Sequence, residues 1–117
     1  DVSRHTFERM ADPDYEQMFG FLAIDGTSGA VGMVTGVFQP STFVKEPICY
    51  LEDLFTHADA RGKGVGRALI SAVGEHAKQT GCPKVYWHTA ENNYAGRTLY
   101  DKVAKQTHIK YEQKFKA

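Results

Sequence analysis

The sequence predicts an α/β sandwich around a mixed sheet, on three observations. Short β-rich runs fill the first half of the chain, and two amphipathic helical stretches fill the second. Between them an apolar strand-like run, a glycine-rich turn and a helical pattern follow one another, as in a crossover connection.

The elements follow in order. Residues 6–10 read as the tail of a helix stopped at Asp12 and Pro13. Residues 17–24 read as a strand, and residues 25–29, with Gly26 and Gly29, as the turn after it. Residues 30–39 are rich in β-formers (Val31, Val34, Thr35, Val37, Phe38), so the two runs form a hairpin. Residues 40–47, bounded by Pro40 and Pro47, form a loop, and residues 49–56 are a third strand. Residues 64–79 carry Val65, Leu69, Ala72, Val73, His76 and Ala77 on one helical face, with Gly81 and Pro83 as the stop signal. Residues 84–89 are a fourth strand. Residues 93–102 are a second helix with Asn93 as N-cap, and residues 109–115 a terminal strand. The order is β-β-β-α-β-α-β, without repeats or linkers, in a single domain over residues 1–117.

Bulk properties narrow the function classes. The chain has 117 residues, 42% hydrophobic and 24% charged, with formal net charge zero. A neutral chain lacks the basic surface that displaces counterions from nucleic acid. No apolar run approaches the roughly 20 residues that span a bilayer, and no signal peptide is visible at Asp1-Val2-Ser3. Cys49 and Cys82 lie far apart without close histidines, which argues against a metal site and for reduced thiols in a cytoplasmic setting.

The glycine-rich turn, residues 61–67 (Arg-Gly-Lys-Gly-Val-Gly-Arg), carries the chemistry. Glycines let the backbone approach a ligand closely, and the free N–H groups of a first helical turn point at an anion. Three phosphate motifs compete for it. A Walker A loop needs Gly-Lys-Ser/Thr, but Gly66 is followed by Arg67 and Ala68. The dinucleotide fingerprint G-x-G-x-x-G needs a third glycine where Arg67 or Leu69 stands. Arg-x-x-Gly-x-Gly is satisfied by Arg61, Gly64 and Gly66.

That last pattern is similar to the coenzyme A loop of the GNAT N-acetyltransferase superfamily. Two further stretches support the resemblance. Asn93 to Tyr100 resembles the family's Asn, Ala and Leu-Tyr helix. Tyr50-Leu51-Glu52-Asp53-Leu54-Phe55-Thr56 resembles the matching strand of spermidine/spermine (diamine) acetyltransferases. Tyr86-Trp87 with Asn93 and Leu99-Tyr100 also resembles the yeast polyamine/histone acetyltransferase group. The resemblance implies the GNAT acyltransferase fold, a mixed, mostly antiparallel sheet flanked by helices, with the family's opening strand and helix missing ahead of Asp1. It implies acetyl-CoA as cofactor, a homodimer, and a small-molecule amine as acceptor.

Residue by residue, the resemblance places pyrophosphate on Arg61, Gly62, Lys63, Gly64, Val65, Gly66 and Arg67, and pantetheine along Leu54, Phe55 and Thr56. Asn93 and Gly96 complete the cofactor site. Tyr100 is the candidate general acid: a phenol near pKa ~10 can protonate a departing thiolate near ~8.5. Glu52 is the candidate base, acting through water. Strand alternation puts Tyr50, Glu52, Leu54 and Thr56 on one face and Leu51, Asp53 and Phe55 on the other. Glu52 and Asp53 supply negative charge for a cationic acceptor, and His88 is a further acceptor-site candidate. Lysine side chains of peptides and amino acids are the alternative acceptors. A non-catalytic coenzyme A-binding module is the alternative from another class.

Overall fold

The computed structural model describes residues 5–12, 15–26 and 29–116, with side chains described from residue 17 onward. Five strands form one sheet in the order β1-β2-β3-β4-β5. They are β1 (His5–Asp12), β2 (Tyr15–Asp25), β3 (Gly29–Gln39), β4 (Ile48–Thr56) and β5 (Val85–Tyr86). The first four run antiparallel, each hydrogen-bonded to its sequence neighbour. β5 returns parallel to β4 after the crossover through α1 (Val65–Gln79), and α2 (Tyr94–Val103) follows it.

Helix α1 lies across one face of the sheet. Its apolar stripe, Val65, Leu69, Ile70, Val73 and Ala77, is buried against Phe19 and Ala23 of β2, Val34 of β3, and Cys49 and Leu51 of β4. Burying a Val or Leu side chain of this kind contributes about 1.5–3 kcal/mol. Gly36 makes the packing possible. A Cβ there would lie 2.5 Å from the Phe19 ring and 3.3 Å from Cys49 Sγ, so its absence lets Phe19 lie across β3.

Three expectations are corrected. Residues 6–10 belong to a strand, because β1 pairs along the whole edge of β2. A five-residue window fits either period, and the long neighbouring strand offers the ladder that decides. The expected stop at Pro13 lies outside the described residues, as do Thr27 and Ser28 of the expected turn. The strand expected over residues 84–89 shrinks to Val85–Tyr86, which pair with Cys49 and Tyr50 alone. Residues 109–115 form no strand, and Ile109, Tyr111 and Phe115 are exposed. Their alternation supplies β-propensity, but a strand also needs a partner.

β4 carries an irregularity that the sequence did not announce. Thr35 opposes Asp53 while the next residue, Gly36, opposes Leu51, so Glu52 has no partner on β3. This bulge reverses the alternation. Before it Cys49 and Leu51 face α1; after it Leu54 opposes Val34 and points to the same side. The expected common face of Tyr50, Glu52, Leu54 and Thr56 therefore does not exist.

Candidate active site

β4 and β5 pair at one end only. Beyond Cys49 and Tyr50 the two strands share no further rungs, so the edge of β4 that faces β5 is open from the bulge to Thr56. Open N–H and C=O groups on a strand edge accept an extended ligand by β-addition. Leu54 is half-buried toward α1, Phe55 is exposed on the opposite face, and Thr56 closes the strand.

The glycine loop begins where this edge ends. A short 3-10 turn, Ala58–Ala60, is capped by His57, whose Nδ1 accepts from the Asp59 N–H at 3.3 Å. Arg61 then folds back, and its Nε donates to the Thr56 carbonyl at 3.3 Å. Gly62 and Gly64 adopt φ of 78° and 81°, the left-handed region that other L-residues enter only with strain. Gly64 is the N-cap of α1 and offers no side-chain cap. The first closing bond of the helix is Ala68 N–H to the Gly64 carbonyl. The N–H groups of Val65, Gly66 and Arg67 precede that bond and point along the helix axis, where the dipole favours an anion. Lys63 and Arg67 are exposed beside them and, among the described residues, have no ion-pair partner. Uncapped donors, two left-handed glycines and three basic side chains fit a pyrophosphate.

Gly66 has a different task from the other two glycines. A Cβ there would lie 3.3 Å from Leu99 Cδ2 and 3.7 Å from Thr56 Oγ1. Its absence lets α2 and the end of β4 close on the first turn of α1. The neighbour of Leu99, Tyr100, packs edge-on against Trp87 at 5.6 Å between ring centroids. Tyr100 is half-buried, and burial raises its hydroxyl pKa above the ordinary 10.0, so it keeps its proton throughout the neutral range. Among the described residues no group hydrogen-bonds to that hydroxyl.

Asn93 and Gly96 build α2. Asn93 Oδ1 accepts from the Gly96 N–H at 3.2 Å, and its Nδ2 donates to Thr89 Oγ1 at 2.8 Å. Any Cβ on Gly96 would collide with the Asn93 side chain, so the pair forms one capping unit. Asp53 is likewise engaged: Thr35 Oγ1 donates to Asp53 Oδ2 at 2.8 Å and accepts from the Asp53 N–H at 3.1 Å. Glu52 is exposed on the bulge and, among the described residues, has no hydrogen-bond or ion-pair partner. His88 is exposed and touches the rings of Tyr50 and Tyr86. The clustering of those two tyrosines was missed in sequence; the signal was Tyr50 lying on the opposite face from the buried Cys49 and Leu51.

The comparisons agree with this architecture. The family model described as "Acetyltransferase (GNAT) family" matches residues 2–104. The D-amino-acid N-acetyltransferase HPA3 of Saccharomyces cerevisiae is 38% identical over 108 residues, covering 92% of this chain and 66% of the yeast protein. Mycothiol acetyltransferase of Geodermatophilus obscurus is 32% identical over 94 residues, covering 80% of this chain and 30% of that protein. The chain thus spans 66% of the yeast protein's length and 30% of the mycothiol enzyme's. An aminoglycoside acetyltransferase from a soil metagenomic sample superposes with a TM-score of 0.84 at 15% identity, covering 97% of this chain and 98% of that one. AAC(6')-Iy in complex with a coenzyme A bisubstrate analogue superposes with a TM-score of 0.77 at 18% identity, covering 89% and 73%. The glycine loop and open β4 edge, with the family match over residues 2–104, lead to one conclusion: this chain belongs to the GNAT acetyltransferase family.

Proposed function

We propose that the protein is an N-acetyltransferase that moves an acetyl group from acetyl-CoA to a primary amine of a small cationic molecule. The observation that carries this reading is the continuity of the open β4 edge with the uncapped loop at Gly62–Arg67. The edge takes the pantetheine arm by β-addition, and the loop takes the pyrophosphate.

The thioester supplies the acyl group; this chain supplies the rest. A free N–H on β4 beyond the bulge polarises the thioester carbonyl. The amine attacks the carbonyl carbon, a C–N bond forms and the C–S bond breaks. Tyr100 gives its proton to the departing thiolate, and Glu52, through water, accepts the proton that the amine loses. Asp53 positions the bulge through Thr35. Glu52, without a partner among the described residues, also supplies charge complementary to a polyamine or diamine.

An amino acid is the second acceptor reading, favoured by the identity with the yeast D-amino-acid N-acetyltransferase. We further propose a homodimer in the cytoplasm. Support for the first is the exposed apolar run at Ile109, Tyr111 and Phe115, and for the second the two free cysteines. Thiol release from acetyl-CoA, measured against diamines, polyamines, D- and L-amino acids and lysine peptides, tests the reading. It predicts release with diamines and polyamines; release with no amine would overturn it.

A further inference from the structure

Three aromatic rings meet on the sheet face turned away from α1. Tyr50 opposes Val37 on β3 and stands beside Tyr86 on β5. Its two strand neighbours, Cys49 and Leu51, are buried toward α1, so Tyr50 and Tyr86 rise from the other face. The ring centroids lie 5.0 Å apart for Tyr50 and Tyr86, 5.6 Å for Tyr50 and His88, and 5.8 Å for Tyr86 and His88. At those separations the rings touch one another and leave no space between them, so they form a shelf and not a cage. The Tyr86 hydroxyl donates to Gln39 Oε1 on β3, which fixes its ring.

Ring faces attract ammonium groups through the ring quadrupole. The charges that act on these rings offset each other: Lys110, within electrostatic reach of Tyr50, is ion-paired at 2.7 Å with Glu112, within electrostatic reach of His88. The shelf also lies at the level where β4 and β5 part, next to the proposed reaction centre.

We propose that the Tyr50–Tyr86–His88 shelf holds the second, non-reacting ammonium group of a diamine-type acceptor. The shelf thereby selects acceptors with two amines over those with one. This inference rests on the amine-acetyltransferase reading above and adds the residues that choose among amines.

The test is steady-state acetylation of 1,4-diaminobutane and of butylamine, the same carbon chain with a single amine. Wild-type protein should show a KM for the diamine at least tenfold below that for butylamine. Tyr86→Leu and His88→Ala should each raise the diamine KM several-fold more than the butylamine KM, with kcat nearly retained. Tyr86→Phe, which keeps the ring, should stay within about twofold of wild type. His88 is exposed, so His88→Ala reports even if Tyr86→Leu fails to fold. Equal losses on both amines, or a Tyr86→Phe loss matching Tyr86→Leu, would overturn the shelf and leave the acetyltransferase reading standing. Turnover of amino acids with none of diamines would overturn the shelf and the diamine reading together.

Discussion

Thr35 holds Asp53 at two points, donating to its carboxylate at 2.8 Å and accepting from its backbone N–H at 3.1 Å. The pair stands one residue past the bulge at Glu52, where the register of β4 against β3 would otherwise be free to slip. A slip of one residue would move every later side chain of β4 to the other face.

Thr35→Val removes the hydroxyl while keeping the branched shape. It should lower stability by about 0.5–1 kcal/mol, the range for losing a hydrogen bond whose partner water can reach. Turnover should fall alongside, because the edge proposed to polarise the thioester is no longer fixed. Urea unfolding measures the first effect and thiol release the second. In a double-mutant cycle Thr35→Val and Asp53→Asn should couple; independent effects would show that the pair does not set the register.

Gly64 sits at φ 81° with no side chain over the free N–H groups of α1. Gly64→Ala should cost about 1–2 kcal/mol through backbone strain. Gly64→Asp adds a carboxylate where the pyrophosphate is proposed to lie and should abolish coenzyme A binding. Calorimetric titration checks this; normal affinity in Gly64→Asp would remove the loop from the cofactor site.

Asn93 caps α2 and so stands behind Tyr100. Asn93→Ala frees the Gly96 N–H and should destabilise the protein by about 1 kcal/mol. The measurable consequence is a lower melting temperature, with weaker protection of α2 amides from hydrogen exchange. A full loss of coenzyme A affinity without loss of stability would instead mean that Asn93 contacts the ligand.

Cys49 links stability to alkaline pH. Burial, with the Cys82 thiol adding to it, raises its pKa from 9.0 to about 12. The folded chain therefore keeps this proton where the unfolded chain has lost it. The stabilisation is fully present below pH 9 and disappears as pH rises toward 12, with a slope of at most about 1.4 kcal/mol per pH unit. Urea midpoints between pH 9 and 11 should fall less steeply in Cys49→Ala than in wild type. Parallel slopes would contradict the linkage.

Much of this was legible in the sequence because the relevant signals are local. The glycines of the loop, the apolar stripe from Val65 to Ala77 and the cap at Asn93 each depend on neighbours a few residues away, and each appears where expected. The rest depends on partners distant in sequence. The bulge at Glu52 exists only relative to β3, so no alternation rule applied to β4 alone could find it. The tail from Ile109 to Phe115 has a strand's composition without a strand's partner, and residues 6–10 have a partner without a decisive pattern. The ring cluster needs β4 and β5 side by side, which follows from the crossover and not from either segment.

Tyr100 is the proposed proton donor to the departing thiolate. The most direct test is thiol release at saturating acetyl-CoA and diamine by Tyr100→Phe, with coenzyme A affinity measured in parallel. Turnover should fall at least tenfold, about 1.4 kcal/mol of added barrier, with coenzyme A affinity nearly unchanged. Turnover equal to wild type at equal affinity would rule Tyr100 out as the proton donor.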